Sequence, residues 1–516
     1  ADRVRPRIER QGGQATYVPT SRTPSLNTLT PVNMADSAAA AMKRLQDRIG
    51  SVDEFVADRL GYDVNDLPKY FGAEQIDAIA AAIDNIERGT ALILGDQTGI
   101  GKGRQVAAVL RYAMRKGKIP VLVTEKPDLY GDMWRDMRDI GLHEMLGREP
   151  RIFMTNIGSP IPLDEEAMEW KEEADAAREA GEPIPKRRGR FLVGGTAAKQ
   201  NADMEAIASG KGEYDVVFTT YDQMNTVKGK STPRRSFLSR IAPDALIVFD
   251  ESHNAGGAGQ SGWKLKDAEP NRAQFARELA MRAWGVMFSS ATYAKRPDVM
   301  DLYARTDMGM AVDDPEKLPE LIAKGGVPMQ QVVASMLAEA GQYIRRERSF
   351  EGVEYAVEGV PVNLESYRQF SDAIRAVFRF DLKINKIRDE LVQTSLDTSG
   401  AATAKDAGTG ELGASTTAFA SIMHNLVNQM LLSIKAKAVA QRAIQAVKNG
   451  EKPVIGLANT NESFVSDFAA QEGINVGDVI DLTFRDMLTR YLQRTLRYTV
   501  KHPDGKKTHH FIPFDA

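Results

Sequence analysis

Gly99, Gly101, Lys102 and Gly103 fall within ALILGDQTGIGKGRQVAAVL, residues 91–110. A short apolar run leads into a glycine turn, and residues of helical pattern follow it. Glycines at 99 and 101 let a backbone close on a phosphate without side-chain obstruction. The amides of Gly99, Ile100, Gly101, Lys102 and Gly103 can point at its oxygens, with the helix N-terminus adding partial positive charge. Lys102 is spaced to reach β- and γ-phosphates. Thr98 and Arg104 flank this set and count with it as nucleotide contacts. Loops of this kind end in Gly-Lys-Ser or Gly-Lys-Thr, and the hydroxyl holds magnesium. Here Gly103 follows the lysine. Taken alone, the glycine turn also describes a strand–helix corner that binds nothing.

A second motif weighs against that bland reading. DALIVFDESHNAGG (244–257) ends an apolar run with Asp250-Glu251, followed by Ser252 and His253. A buried strand that delivers two adjacent carboxylates at its carboxyl end suits magnesium-assisted hydrolysis of ATP. Asp250 would hold the metal and Glu251 would position and activate water. With Lys102 and His253 they form the expected catalytic set. The alternative for Asp-Glu after a strand is a helix cap with a first-turn acid.

Gln75, in YFGAEQ, stands one helix upstream of the loop, where a glutamine can read an adenine edge. Tyr70 or Phe71 could stack on the base, or pack in the core. FSSATYAKRP (288–297) runs a strand into Ser290, Ala291 and Thr292, whose hydroxyls could couple the site to movement. Lys126 and Thr220 lie in strand-end loops on the same rim. Lys228, Lys230, Arg234 and Arg235, in KGKSTPRR, are the best candidates for sequence-independent phosphate contacts with a nucleic acid. KRRGR (186–190) and YIRRER (343–348) are the other basic clusters, and the latter could instead brace the lobes through carboxylates.

Six apolar runs must position these groups: 91–94, 119–124, 151–155, 215–221, 245–250 and 285–290. Helical stretches separate them, which indicates a doubly wound parallel sheet buried on both faces, an α/β fold with ligands at the strands' carboxyl ends. Residues 1–50 read as an extended arm and 51–310 as the nucleotide domain, with a charged insertion at 161–212. Residues 311–448 read as a helical linker containing a Gly/Ser/Thr/Ala-rich stretch at 394–418. A partial second lobe fills 449–516, with a strand at 453–457 and a hairpin in RYTVKHPDGKKTHHFIP.

The 516 residues are 42% hydrophobic and 27% charged, with net charge −3. That balance neither advertises nor excludes nucleic acid. No cysteine occurs, which excludes a thiolate metal centre, and with only six histidines a histidine-rich centre is not expected. No apolar run is long enough to cross a bilayer and no secretory pattern opens the chain, so a cytoplasmic protein without membrane contact is expected. The chain begins with Ala1 and stops after FIPFDA, and reads as a piece of a longer polypeptide.

A glutamine segment, Gly-Lys loop, Asp-Glu-Ser-His box and Ser-Ala-Thr occur in the order of superfamily 2 helicases. More narrowly, GDQTGIGKGR, VFDESHNA, SSATYAKRPDVMDLYAR, GGVPMQQVVASMLAEAGQYIRRERSF and YFGAEQIDAIAAAIDNIERG resemble the strawberry-notch family, across about residues 17–461. Gly-Lys-Gly-Arg is itself that family's pattern. The resemblance implies a RecA-like P-loop domain plus the start of a second RecA-like lobe, related to double-stranded-DNA translocases of the chromatin-remodelling type. It assigns Lys102, Asp250 and Glu251 to ATP hydrolysis with Mg2+, Gln75 to adenine, and Ser290, Ala291 and Thr292 to coupling. It further implies a phage or bacterial protein that works in the host cytoplasm or travels with the virion. It would belong to a larger complex and protect DNA from restriction. No later motif supplies arginines for the γ-phosphate. A weakly active fold kept as an interaction component is the alternative function, and a nucleotide switch acting on proteins is a third.

Overall fold

The computed structural model describes residues 10–11, 13–156, 160–180, 184–227, 230–255, 271–294, 297–314, 317–349 and 351–357. It also describes short pieces between 359 and 379, residues 431–456 except 433 and 434, and strands 497–501 and 507–511. Two compact units emerge: 1–175 with 184–353, and 176–183 with 354–516.

The first unit is built on seven parallel strands. In chain order they are β1 (Ala91–Leu94), β2 (Ile119–Thr124), β3 (Ile152–Met154), β4 (Val216–Thr220), β5 (Ala245–Asp250), β6 (Gly285–Ser289) and β7 (Tyr343–Ile344). Their order across the sheet is β7-β1-β6-β5-β2-β4-β3. The continuous apolar runs follow from burial on both faces. Leu92, Leu94, Leu122 and Val248 join the core on one side, with Ile76, Val106 and Met133 of the covering helices. Ile93, Val121, Ile247 and Phe249 join the other, with Phe237, Phe275 and Leu337.

β7 extends the unit beyond the boundary expected at residue 310. Two residues long, it is too short for a sequence pattern, yet it pairs Tyr343 with Ile93 and Ile344 with Leu94. The helix Leu318–Glu339 leads into it, so this stretch belongs to the nucleotide domain rather than to a linker.

The expected arm is also more structured than its composition suggests. Gln14–Thr16 and Leu29–Pro31 pair in a small antiparallel sheet, and Ala35–Ile49 is a helix. The arm is tied to the helix α1 (Ala73–Glu87) by buried carboxylates. Asp77 accepts from Tyr17 Oη (2.9 Å) and from the amides of Thr20 and Ser21 (2.8 and 2.9 Å). Glu74 accepts from Ser25 Oγ and the Leu26 amide.

The charged insertion forms the helices Glu165–Ala180 and Ala197–Ala208 and a short antiparallel pair, Ile161–Pro162 with Phe191–Leu192. In the second unit, residues 435–448 are helical and 451–456 carry no regular structure, so the described part of the expected strand at 453–457 is not one. The expected hairpin is present as an antiparallel pair, Arg497 opposite Phe511 through Lys501 opposite Lys507. The stretch 394–418 lies outside the described residues.

Candidate nucleotide site

The glycine loop leaves β1 and enters the helix α2 (Lys102–Arg115). Gly101 caps that helix with φ 83° and ψ 42°, the left-handed region that glycine adopts freely. A Cβ there would also meet Gln75 Nε2 at 2.2 Å. Gln75 spans two elements: its Oε1 accepts from the Gly72 amide (3.0 Å) and its Nε2 donates to the Ile100 carbonyl (3.0 Å). It therefore fixes the loop to the start of α1. Thr98 and Gly99 are exposed, Ile100 is buried, and Lys102 is half-buried. Lys102 Nζ donates to the Asp96 carbonyl at 2.9 Å.

Asp250 and Glu251 end β5, two strands from the loop. β6 lies between, its Ser289 opposite both Asp250 and Leu94. Ser289 Oγ donates to Asp250 Oδ1 at 2.9 Å. Burial pushes the Asp250 carboxyl above its ordinary range, and the neighbouring Glu251 adds to this against the Ser289 hydrogen bond. Glu251 has φ 46°, a left-handed backbone that is rare for a non-glycine residue and costs on the order of 1–3 kcal/mol. Glu251 Oε2 lies 3.3 Å from His253 Nδ1, which in turn is 2.9 Å from Ser290 Oγ. Thr292 donates its amide to Ser290 Oγ at 3.2 Å. The carboxylate box and Ser290-Ala291-Thr292 thus form one chain of polar contacts. Oxygen donors such as Asp250, completed by phosphate and water, suit magnesium. Among the described residues no group of three or more His, Cys, Asp or Glu side chains could hold a metal alone.

The sequence model of one family, described as P-loop containing NTP hydrolase pore-1, matches residues 66–161 and 173–372, more than half of the chain. The chain belongs to this family, in its strawberry-notch type. Human strawberry notch homolog 1 is 23% identical over 468 residues, 86% of this chain and 28% of the relative. Drosophila melanogaster strawberry notch is 23% identical over 413 residues, 78% of this chain and 21% of the relative. The chain therefore spans about a quarter of the length of these relatives. The Sulfolobus solfataricus SWI2/SNF2 ATPase core aligns at 13% identity with TM-score 0.31, over 60% of this chain and 51% of that one. Its complex with double-stranded DNA aligns at 12% identity with TM-score 0.30, over 59% of this chain and 52% of that one.

In this member of the family the two aromatic candidates part company. Phe71 is 2% exposed in the core, so it cannot stack on a base without unpacking. Phe71→Ala is expected to cost about 3–5 kcal/mol, read from the denaturation midpoint. Tyr70 is half-buried, its ring 4.8 Å from that of Tyr62 and its hydroxyl on Glu144. Arg104 is held by Asp139 (3.1 Å) and the Tyr70 carbonyl (3.4 Å), which makes it a brace in the resting site rather than a phosphate contact.

Several expected nucleic-acid contacts are spent inside the protein. Arg235 is 1% exposed: it donates to the Met224 carbonyl and lies over the Phe275 ring at 4.2 Å. Arg234 donates to the Thr155 carbonyl and to Gln200 Oε1. Both sit in the first turn of the helix Pro233–Ile241, where the turn aims them inward. Thr220 is buried and accepts from Asn156. In the KRRGR cluster, Arg188 pairs with Glu173 and Arg190 with Asp164. Lys126 and Lys230 remain exposed, and Lys228 lies outside the described residues.

One functional element escaped the sequence reading. Arg346 and Asp96 are each fully buried and form an ion pair directly beneath the glycine loop. Asp96 Oδ1 accepts from the Arg346 amide (3.0 Å) and Nε (2.9 Å), and Gln105 joins both partners. The guanidinium also donates to the Glu74 carbonyl. Burial pulls the guanidinium down, but the charge and hydrogen bonds of Asp96 hold it above its ordinary value. Arg348 extends the brace, its guanidinium on the Leu26 and Gly99 carbonyls. The brace expected of YIRRER between lobes is seen instead within one unit, with Asp96 as the carboxylate.

Proposed function

We propose that the chain is the nucleotide-hydrolysing part of an ATP-dependent motor that moves on nucleic acid, double-stranded DNA in particular. One observation carries this reading: the loop bearing Lys102 and the pair Asp250-Glu251 follow the carboxyl ends of β1 and β5, parallel strands with only β6 between them, and His253 and Ser290 link Glu251 to the loop after β6. In this reading Lys102 would leave the Asp96 carbonyl for the γ-phosphate, Asp250 would hold magnesium, and Glu251 would accept a proton from the attacking water. Magnesium would neutralise charge on the β- and γ-phosphates. The contacts Glu251–His253–Ser290 would pass loss of the γ-phosphate towards the loop after β6. A larger phage or bacterial assembly that protects or processes DNA fits the family resemblance.

ATP turnover by the protein, with and without duplex DNA, tests the reading. DNA-stimulated turnover supports it. Turnover indifferent to DNA favours a nucleotide switch, and none at all favours an idle fold. Duplex affinity is expected to fall with salt, and Lys126→Ala or Lys230→Ala to lower the log–log salt slope by about one each. Unchanged slopes in a filter-binding titration would remove these lysines from the interface.

A further inference from the structure

The glycine at 103 stands where loops of this type carry a hydroxyl, and a neighbouring helix fills the space. A Cβ built on Gly103 would lie 1.9 Å from Asp136 Oδ2 and 2.8 Å from Asp136 Cγ. The first distance is far inside van der Waals contact. A carboxylate oxygen therefore stands in the space where a serine or threonine side chain at 103 would begin. Asp136 belongs to the helix α3 (Leu129–Asp139), which packs along α2.

Asp136 has the marks of a ligand group rather than a packing group. The other two acids of α3 have partners: Asp132 is paired with Arg135 at 2.8 Å and Asp139 with Arg104 at 3.1 Å. Among the described residues no hydroxyl, N–H or cation bonds the half-buried Asp136 side chain, and it caps no amide of the first turn of α2. Any cation at this loop must draw its ligands singly from separate elements, since no ready-made cluster exists among the described residues.

We propose that Asp136 supplies, from α3, the magnesium-side oxygen that the loop lacks, so that Gly103 and Asp136 together replace one hydroxyl residue. This rests on the ATPase reading above. The substitute differs from a hydroxyl in one respect: it is charged. With the cation it attracts, and without it the carboxylate repels the phosphates. Nucleotide binding by this chain should therefore depend on Mg2+ more steeply than in a loop with threonine.

The test is equilibrium binding of a fluorescent ATP analogue to the whole chain, titrated with Mg2+ from an EDTA baseline. Asp136→Ala and Asp136→Asn are both expected to raise the Mg2+ concentration for half-saturation roughly tenfold, the size of effect seen for groups that tune a metal site. Metal-free affinity should stay equal or tighten. Gly103→Thr alone should weaken binding, because its Cβ meets the carboxylate. Gly103→Thr combined with Asp136→Ala removes the clash, rebuilds a hydroxyl loop, and should bring the Mg2+ requirement back towards that of the unsubstituted chain. The proposal is overturned if folded Asp136→Asn keeps the original Mg2+ dependence, or if both variants weaken metal-free and Mg2+-bound nucleotide alike. Failure of the unsubstituted chain to bind nucleotide at any Mg2+ concentration would instead remove the ATPase reading itself, and this proposal with it.

Discussion

Glu251→Gln is expected to lower DNA-stimulated ATP turnover by a factor of about 10²–10⁴, the usual contribution of a positioned general base. Nucleotide affinity should change little. The amide keeps the size of the carboxylate and can still meet His253 Nδ1, now 3.3 Å from the Glu251 carboxylate. What it loses is the ability to take a proton. The left-handed φ of 46° at this position adds to the argument. A strained backbone persists only when its surroundings over-determine it, and here the strain presents the carboxylate beside the end of β5. Single-turnover hydrolysis and analogue binding, measured together, check the outcome. Unchanged turnover in the variant would take Glu251 out of the chemistry.

Arg346→Ala is expected to destabilise the chain by about 3–5 kcal/mol, because it leaves Asp96 as an uncompensated buried charge. Asp96→Asn in the same chain should recover part of that loss by neutralising the survivor. Chemical denaturation of the single and double variants reads both effects. Nucleotide binding should suffer beyond the loss of folded protein, since Lys102 rests on the Asp96 carbonyl and the Asp96 side chain holds its position through Arg346. An Arg346→Ala chain as stable as the parent would mean that water reaches Asp96 and that the brace is ornamental.

The parts of the fold legible in the sequence are those encoded locally. Each long strand of the sheet announced itself as a continuous apolar run, and the loop and the carboxylate box follow their strands directly. What stayed hidden depends on distant partners. Arg346 looked like one member of a basic run, and only its contact with a carboxylate 250 positions earlier makes it part of the loop. Asp77 and Glu74 carry no local signal of their role, which comes only from the arm residues Tyr17 and Ser25 that bond them. Arg234 and Arg235 looked like phosphate contacts for a nucleic acid because composition does not say which way a helical turn faces. Gly103 is the intermediate case. The missing hydroxyl was plain from the spacing, but the acid beside it comes from another helix, 33 positions away.

The brace beneath the loop has a consequence for synthesis. Asp96 and Arg346 are separated by 250 positions, and Leu29 is bridged to Glu347 across a still longer span. Such contacts close late, because the entropy of a long loop must be overcome before they form. On the ribosome the glycine loop, its strand and its helix emerge long before the arginine that holds them. A nascent chain therefore carries a nucleotide loop over an unneutralised carboxylate until the segment after the helix Leu318–Glu339 has left the exit tunnel. Nucleotide capture should accordingly begin only when the lobe is complete.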